Sequence, residues 1–300
     1  MNSLMTDLPR IVPAAVTPFS DGGAELRLDF IPQHLAYLEH RGADGLLTLG
    51  TNGEGVSLSL DERRTVIDAV LTHRGGLRVF AGTGCAALPD TIDLSRYALE
   101  RGADAVMIVP PFYFKGVDDA GLINYYAALL DALPRERSVI LYNIPSVSAV
   151  EITDGLVDGL LDHYADRLLG IKDTSGDIER TRRYINRYPQ LAVYNGNDDD
   201  LAGAAELAIA GTISAVANVF PDLIARVFRT HETKGDVAGA QAEVAQVREL
   251  LTRFPSHSAI KHLLHLIAGL PLTHVRPPLR DLTADEASAL ARAVESLPFG

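Results

Sequence analysis

The sequence holds one cysteine, Cys85. A lone cysteine cannot close an internal disulfide, and no ligand cluster surrounds it, so a reducing, cytoplasmic setting is expected. Long apolar runs are missing too. None approaches the roughly 20 residues that a membrane helix needs. The opening MNSLMTDLPR has no basic stretch followed by an apolar one, and no signal peptide is expected. Basic residues are in deficit: 27 Lys and Arg stand against 39 Asp and Glu, a formal net charge of −12. Nucleic acid and anionic membranes are therefore not expected as partners, because both need clustered cations. A small anionic ligand stays open, since a local cationic or amide-rich pocket can override the global field. Several motifs are absent as well. There is no HExxH, CxxC or Asp-rich loop, and no GxSxG nucleophile elbow. Gly82-Thr83-Gly84 lacks the third glycine of a dinucleotide loop, and no P-loop lysine follows it. His262 and His265 lie three apart in IKHLLHL, which reads as a late amphipathic helix rather than a metal site.

What is present is a regular alternation within 300 residues that are 47% hydrophobic, enough to bury one large core. Short apolar runs at 11–16, 45–49, 77–81, 105–109, 138–142, 168–171, 191–194 and 212–215 read as strands. Longer amphipathic runs at 30–39, 60–71, 91–99, 122–133, 153–161, 178–187 and 201–210, and from Pro221 onward, read as helices. Strands apolar on both faces suit a buried parallel sheet, either a closed barrel or an open doubly wound sheet. About eight β-α units favour the barrel, which typically takes ~250 residues. The expectation is a (β/α)8 TIM barrel over 1–235. Helices at 241–252, 259–269 and 284–297 make the 236–300 segment a helical appendage packed on it.

In such barrels chemistry sits where the strands end. The residues there are Gly50-Thr51-Asn52-Gly53-Glu54, Pro110-Pro111-Phe112-Tyr113, Tyr142-Asn143-Ile144-Pro145, Lys172-Asp173-Thr174 and Asn195-Gly196-Asn197-Asp198. Lys172 is the sharpest of these, because it directly follows the apolar run Leu168–Ile171. Loss of solvent disfavours an ammonium, and a neutral amine is what Schiff-base formation requires. A structural lysine paired with Asp173 is the competing reading. Tyr142 ends the neighbouring strand and could move protons beside that amine, or could be a core tyrosine. Tyr113 could extend a relay or merely cap the barrel. The GTNGE loop offers backbone N–H groups and the Thr51 hydroxyl, which suit a carboxylate.

Together these motifs resemble the dihydrodipicolinate synthase / N-acetylneuraminate lyase family of class I Schiff-base pyruvate aldolases, over nearly the whole chain. GTNGE (Gly50–Glu54) is similar to the family's carboxylate loop, YNIP (Tyr142–Pro145) to its catalytic-tyrosine motif, and GIKDTSGD (Gly170–Asp177) to its Schiff-base lysine motif. The resemblance implies that Lys172 forms the imine and Tyr142 acts as general acid and base. It implies that Thr51 touches the substrate carboxylate and relays protons between Tyr142 and Tyr113. Gly50, Asn52 and Gly196 would belong to the binding site, and Ile213 would be an apolar wall near the lysine. It further implies a small 2-oxo acid substrate, no metal or diffusible cofactor, and a homo-oligomer, a tetramer or dimer.

Two departures bear on the substrate. Val147 stands where the synthases carry an arginine for the aldehyde partner's carboxylate, and Asn52 stands where they usually carry threonine. A hydrophobic side chain cannot pair a carboxylate. The reading is therefore a lyase for a 2-oxo acid with a neutral tail, 2-keto-3-deoxy sugar acids first. A 4-hydroxy-tetrahydrodipicolinate synthase is the alternative within the same chemistry. A non-catalytic 2-oxo-acid-binding barrel is the alternative from another class. Lys115 is read as a solvated loop lysine rather than a contact to an anionic tail.

Overall fold

The computed structural model describes residues 8–134 and 138–297. Eight strands form one parallel sheet: β1 (Ile11–Pro13), β2 (Gly45–Thr48), β3 (Arg78–Gly82), β4 (Ala105–Ile108), β5 (Val139–Asn143), β6 (Leu168–Asp173), β7 (Ala192–Asn195) and β8 (Gly211–Ser214). Their order is β1-β8-β7-β6-β5-β4-β3-β2. The remaining seam, between β1 and β2, is bridged where Asp44 N–H donates to Ile11 O (3.0 Å) and Ala15 N–H to Leu47 O (2.9 Å). The sheet thus curls into a (β/α)8 barrel.

The helices are α1 (Phe30–His40), α2 (Leu60–His73), α3 (Leu88–Glu100), α4 (Asp119–Ala132), α5 (Pro145–Ser148), α6 (Asp154–Tyr164), α7 (Ile178–Arg187), α8 (Leu201–Glu206) and α9 (Pro221–Glu232), then α10 (Val237–Arg253), α11 (Ser256–Ala268) and α12 (Ala284–Glu295). Side-chain caps fix several starts. Ser59 and Thr283 each form a reciprocal box with a glutamate three residues on, and Thr153 and Asp177 cap α6 and α7. Among the described residues no helix is long and apolar enough to cross a membrane.

Period-2 alternation along the strands divides the core. Val12, Leu47, Phe80, Met107, Ile140, Tyr142, Tyr194 and Ile213 fill the barrel interior. Outward residues such as Leu46, Val79, Val106, Leu141 and Ile171 meet the surrounding helices. A third cluster joins Ile11 and α8–α9 to Val244, Leu263, Leu264 and Leu290 of the last three helices, so apolar packing is continuous past residue 236. The expected appendage extends to residue 300, and 298–300 lie outside the described residues.

Several boundaries differ from the sequence reading, and one helix was not expected. The first strand ends at Pro13, because Ala14 bonds Ser214 of β8 and Ala15 switches to Leu47 of β2. The third helix starts at Leu88, three residues early, with Pro89 in its first turn, where a missing N–H costs nothing. The helix expected over 201–210 stops at Glu206, and Ala208 turns left-handed (φ 56°) before β8. The four-residue α5 has no periodic signal and follows from Pro145, whose ring presets a helical φ.

Candidate active site

The C-terminal ends of β2, β5, β6 and β7 converge on one amine. Tyr142 and Lys172 are register partners on β5 and β6, and Lys172 and Tyr194 on β6 and β7. Side chains at one register level point the same way, so Lys172 projects into the barrel mouth beside Tyr142. Its Nζ lies 4.3 Å from the Tyr142 ring centroid, over the negative face of the ring. The residue is 4% exposed.

Asp173 points to the opposite face. Its Oδ1 accepts from Asn143 Nδ2 (2.9 Å) and Ser175 N–H (3.1 Å), and its Oδ2 from Thr181 Oγ1 (2.8 Å). The carboxylate next in sequence to Lys172 is thus a strand-end brace, fully engaged elsewhere. The reading of Lys172 as half of a structural ion pair with it is removed.

Tyr142 OH lies 3.3 Å from Thr51 Oγ1. Thr51 sits on a loop that folds back on itself: Glu54 N–H donates to Thr51 O (3.0 Å) and Gly55 N–H to Gly50 O (3.3 Å). Leu49 and Glu54 are left-handed, at φ 57° and 52°, a strain that non-glycine residues tolerate only where surroundings impose it. At Gly55 a Cβ would come within 2.2 Å of Leu49 O, so only glycine allows the turn to close. Among the described residues the N–H groups of Thr51 and Asn52 donate to nothing, leaving adjacent amides beside a hydroxyl. Such a nest suits a carboxylate.

Glu54 closes the loop from behind. Its Oε1 receives Lys261 Nζ of α11 at 2.6 Å, with both side chains fully buried, and its Oε2 accepts Arg276 N–H at 2.9 Å. Burial pulls the Lys261 ammonium below its ordinary range, and Glu54 pulls it back up. The same helix sends His257 Nε2 to Thr51 O at 3.0 Å. Pro277, Pro278 and Leu279, on the segment after α11, reach the mouth with His257 and help line a cavity of about 550 Å³ that includes Gly50, Thr51 and Tyr142.

The other expected site residues separate into those the fold gathers and those it does not. Gly50 lines the cavity, and Asn52 is half-buried beside it. Ile213 is buried in the interior cluster that contains Tyr142. Gly196 stands directly behind the lysine. Tyr113 is not gathered: it is 77% exposed, its ring edge-on to Phe114 at 5.4 Å. On this loop after β4 Phe112 takes the cavity side while Tyr113 and Phe114 are both exposed, and the expected Thr51–Tyr113 relay is not formed within one chain. Lys115 is exposed on its loop, as expected, but not free of contacts. Its Nζ donates to the carbonyls of Phe112 and Ser148 (the latter 3.1 Å), tying the β4 and β5 loops together. His262 and His265 place their Nδ1 atoms on the Ser258 and Leu270 carbonyls.

The sequence reading missed Lys261, His257 and the functional use of Glu54. A signal existed for the first. Lys261 interrupts the apolar face made by Ile260, Leu263 and Leu264, and a cation buried in such a face needs a carboxylate partner.

Gly196 gives a direct test of the lysine's placement. A Cβ there would lie 2.8 Å from Lys172 Cε and 2.1 Å from Thr174 Oγ1. Gly196→Ala is expected to push the amine aside and slow imine formation with pyruvate by on the order of 100-fold, the effect of a misplacement near 1 Å. Stopped-flow or timed borohydride quench measures it, and a wild-type rate would show that the amine has freedom the packing denies it.

The model of the dihydrodipicolinate synthetase family matches residues 7–297. An uncharacterized DapA-like lyase of Chloroflexus aurantiacus is 42% identical over 290 residues, 97% of each chain. Among solved structures, the Escherichia coli K12 prophage protein YagE in complex with pyruvate superposes with a TM-score of 0.89 at 29% identity, covering 98% of this chain and 99% of that one. A Sulfolobus 2-keto-3-deoxygluconate aldolase in complex with D-KDPG gives 0.87 at 26% identity, covering 96% and 95%. Matched over nearly its full length by one family model, the chain belongs to the dihydrodipicolinate synthetase family.

Proposed function

We propose that the protein is a class I lyase that makes or breaks the C3–C4 bond of a 2-oxo acid through an imine on Lys172. The observation that carries this is the buried amine over the Tyr142 ring, with the Tyr142 hydroxyl joined to Thr51 beside two unengaged amides. The substrate carboxylate binds the Thr51 and Asn52 amides. Lys172 attacks C2, and the Tyr142 phenol gives its proton to the carbinolamine oxygen, which leaves as water. The iminium becomes an electron sink. The Tyr142 phenolate takes the proton of the C4 hydroxyl, the C3–C4 electron pair moves into the iminium, and an aldehyde departs. Protonation of the enamine at C3 and hydrolysis release the shortened 2-oxo acid, pyruvate in the simplest case. A water-poor mouth strengthens each charge interaction.

The tail reading is an uncharged one. Val147 offers no partner to a second carboxylate, and the similar Sulfolobus protein is an aldolase of 2-keto-3-deoxygluconate. Sugar acids of that class are therefore the reference against which other uncharged tails are assayed. Condensation of pyruvate with aspartate semialdehyde at a normal rate would replace this reading with a synthase. The direct test of the chemistry is sodium borohydride with pyruvate. One reduced pyruvate should be found on the peptide bearing Lys172, and its absence from folded protein would refute the proposal.

Tyr142→Phe separates the tyrosine's role from the lysine's. The ring and its face toward Nζ remain, and the proton carrier is lost. Turnover is expected to fall by about 10²–10⁴-fold, the usual worth of a general acid-base group, while slow pyruvate trapping persists. Unchanged turnover by pyruvate release would make Tyr142 a packing residue.

A further inference from the structure

The cavity is far larger than a three-carbon acid, and its wall beyond Thr51 and Tyr142 is apolar. Val56, Met107, Val109, Phe112, Val147 and Leu279 form it. Apart from the Ser57 hydroxyl and one ring nitrogen of His257, the polar side chains that share this wall are already engaged among the described residues. Both Glu54 oxygens are taken, by Lys261 and the Arg276 N–H. The Ser148 hydroxyl is bonded to the backbone of Ile144 and Val150. Thr51 is on Tyr142, and one ring nitrogen of His257 is on Thr51 O. The cations around the site hold other groups. Lys115 holds the Phe112 and Ser148 carbonyls and Arg276 makes a two-point pair with Glu62, while Arg63 donates to Gly84 O and keeps a buried Nε without a partner, but it is not part of the wall.

Resting on the Schiff-base reading above, we propose that the aldehyde half of the substrate carries a hydrocarbon-like tail, alkyl or aryl, rather than a polyol or a second carboxylate. A polyol entering this space would give up water at each hydroxyl and meet few free partners. A carboxylate would meet no lysine or arginine among the residues that form this wall. An alkyl or aryl group loses nothing polar and covers the exposed methyls of Val56 and Val147, which are 71% and 62% accessible at the rim. The residues that set specificity are Val147 and Val56 at the entrance and Phe112 and Leu279 further in.

The experiment runs the reaction in the condensation direction with pyruvate and four acceptors: benzaldehyde, isobutyraldehyde, glyceraldehyde and aspartate semialdehyde. Borohydride trapping of pyruvate alone is carried in parallel. The expected result is a kcat/KM for the first two at least about 10-fold above that for the last two, the scale on which an apolar pocket discriminates. Trapping with a preference for glyceraldehyde or aspartate semialdehyde overturns this inference and leaves the Schiff-base reading standing. No trapping overturns both. Val147→Arg supplies the missing cation at an exposed position. It is expected to lower benzaldehyde kcat/KM about 10-fold and raise that for aspartate semialdehyde. Val56→Lys is the second variant, with the same expectation. Acceptor preference unmoved by either substitution also overturns the assignment of the wall.

Discussion

Lys172→Ala is expected to abolish pyruvate trapping and to cut turnover by on the order of 10⁴–10⁶-fold, the loss seen when a covalent nucleophile is removed. Elimination strengthens the case. The sequence has four lysines: Lys115, Lys172, Lys234 and Lys261. Lys115 is spent on two backbone carbonyls, and Lys261 is locked to Glu54. Lys234 is exposed on the turn after α9, remote in sequence from any strand end. Only Lys172 is both sheltered and directed at a polar site. The substitution removes a side chain whose neighbouring carboxylate, Asp173, is satisfied without it, so folding should survive. Intact-mass analysis after pyruvate and borohydride, alongside a thermal melt, decides the matter. A pyruvate adduct at wild-type yield on the folded alanine variant would assign the nucleophile elsewhere and end the proposed mechanism.

The residues of this group were legible because each one follows an apolar strand directly. Leu168–Ile171 announces Lys172, Val139–Leu141 announces Tyr142, and Gly45–Leu49 announces the loop of Thr51. Parallel strands in a barrel then place all three at one end, so local patterns suffice to predict a shared site. What local patterns cannot carry is pairing between distant elements. Glu54 and Lys261 are 207 residues apart, and each alone looks like an ordinary charge. In IKHLLHL the two histidines carry the metal-like spacing, yet the lysine just before them is the residue tied to the site. Tyr113 stands apart from the group within one chain. Its position after the fourth strand fitted the expected relay, but which side of an extended loop a ring faces depends on packing by neighbours such as Phe112. α5 was invisible because four residues are too short for any period to register.

Breaking the Glu54–Lys261 pair is expected to be the most destabilising single change outside the barrel interior. Both side chains are fully buried, and removing one leaves the other charged and without water, which typically costs about 3–5 kcal/mol. For a chain of this size Lys261→Met should therefore lower Tm by on the order of 10 °C. Glu54→Gln should do less, because an amide can still accept from Arg276 N–H and face Lys261. The double variant Glu54→Gln/Lys261→Met should recover part of the loss, since no unpaired charge is left behind. A merely structural pair would stop there. This one also holds the back of the loop that presents the Thr51 and Asn52 amides, and α11 grips Thr51 O through His257 as well. The single variants should thus raise KM for the 2-oxo acid more than they lower kcat, measured below the lowered melting point. A Lys261→Met protein that melts within about 2 °C of wild type would show the pair to be energetically idle. A large drop in Tm with KM unchanged would separate the anchor from the carboxylate loop.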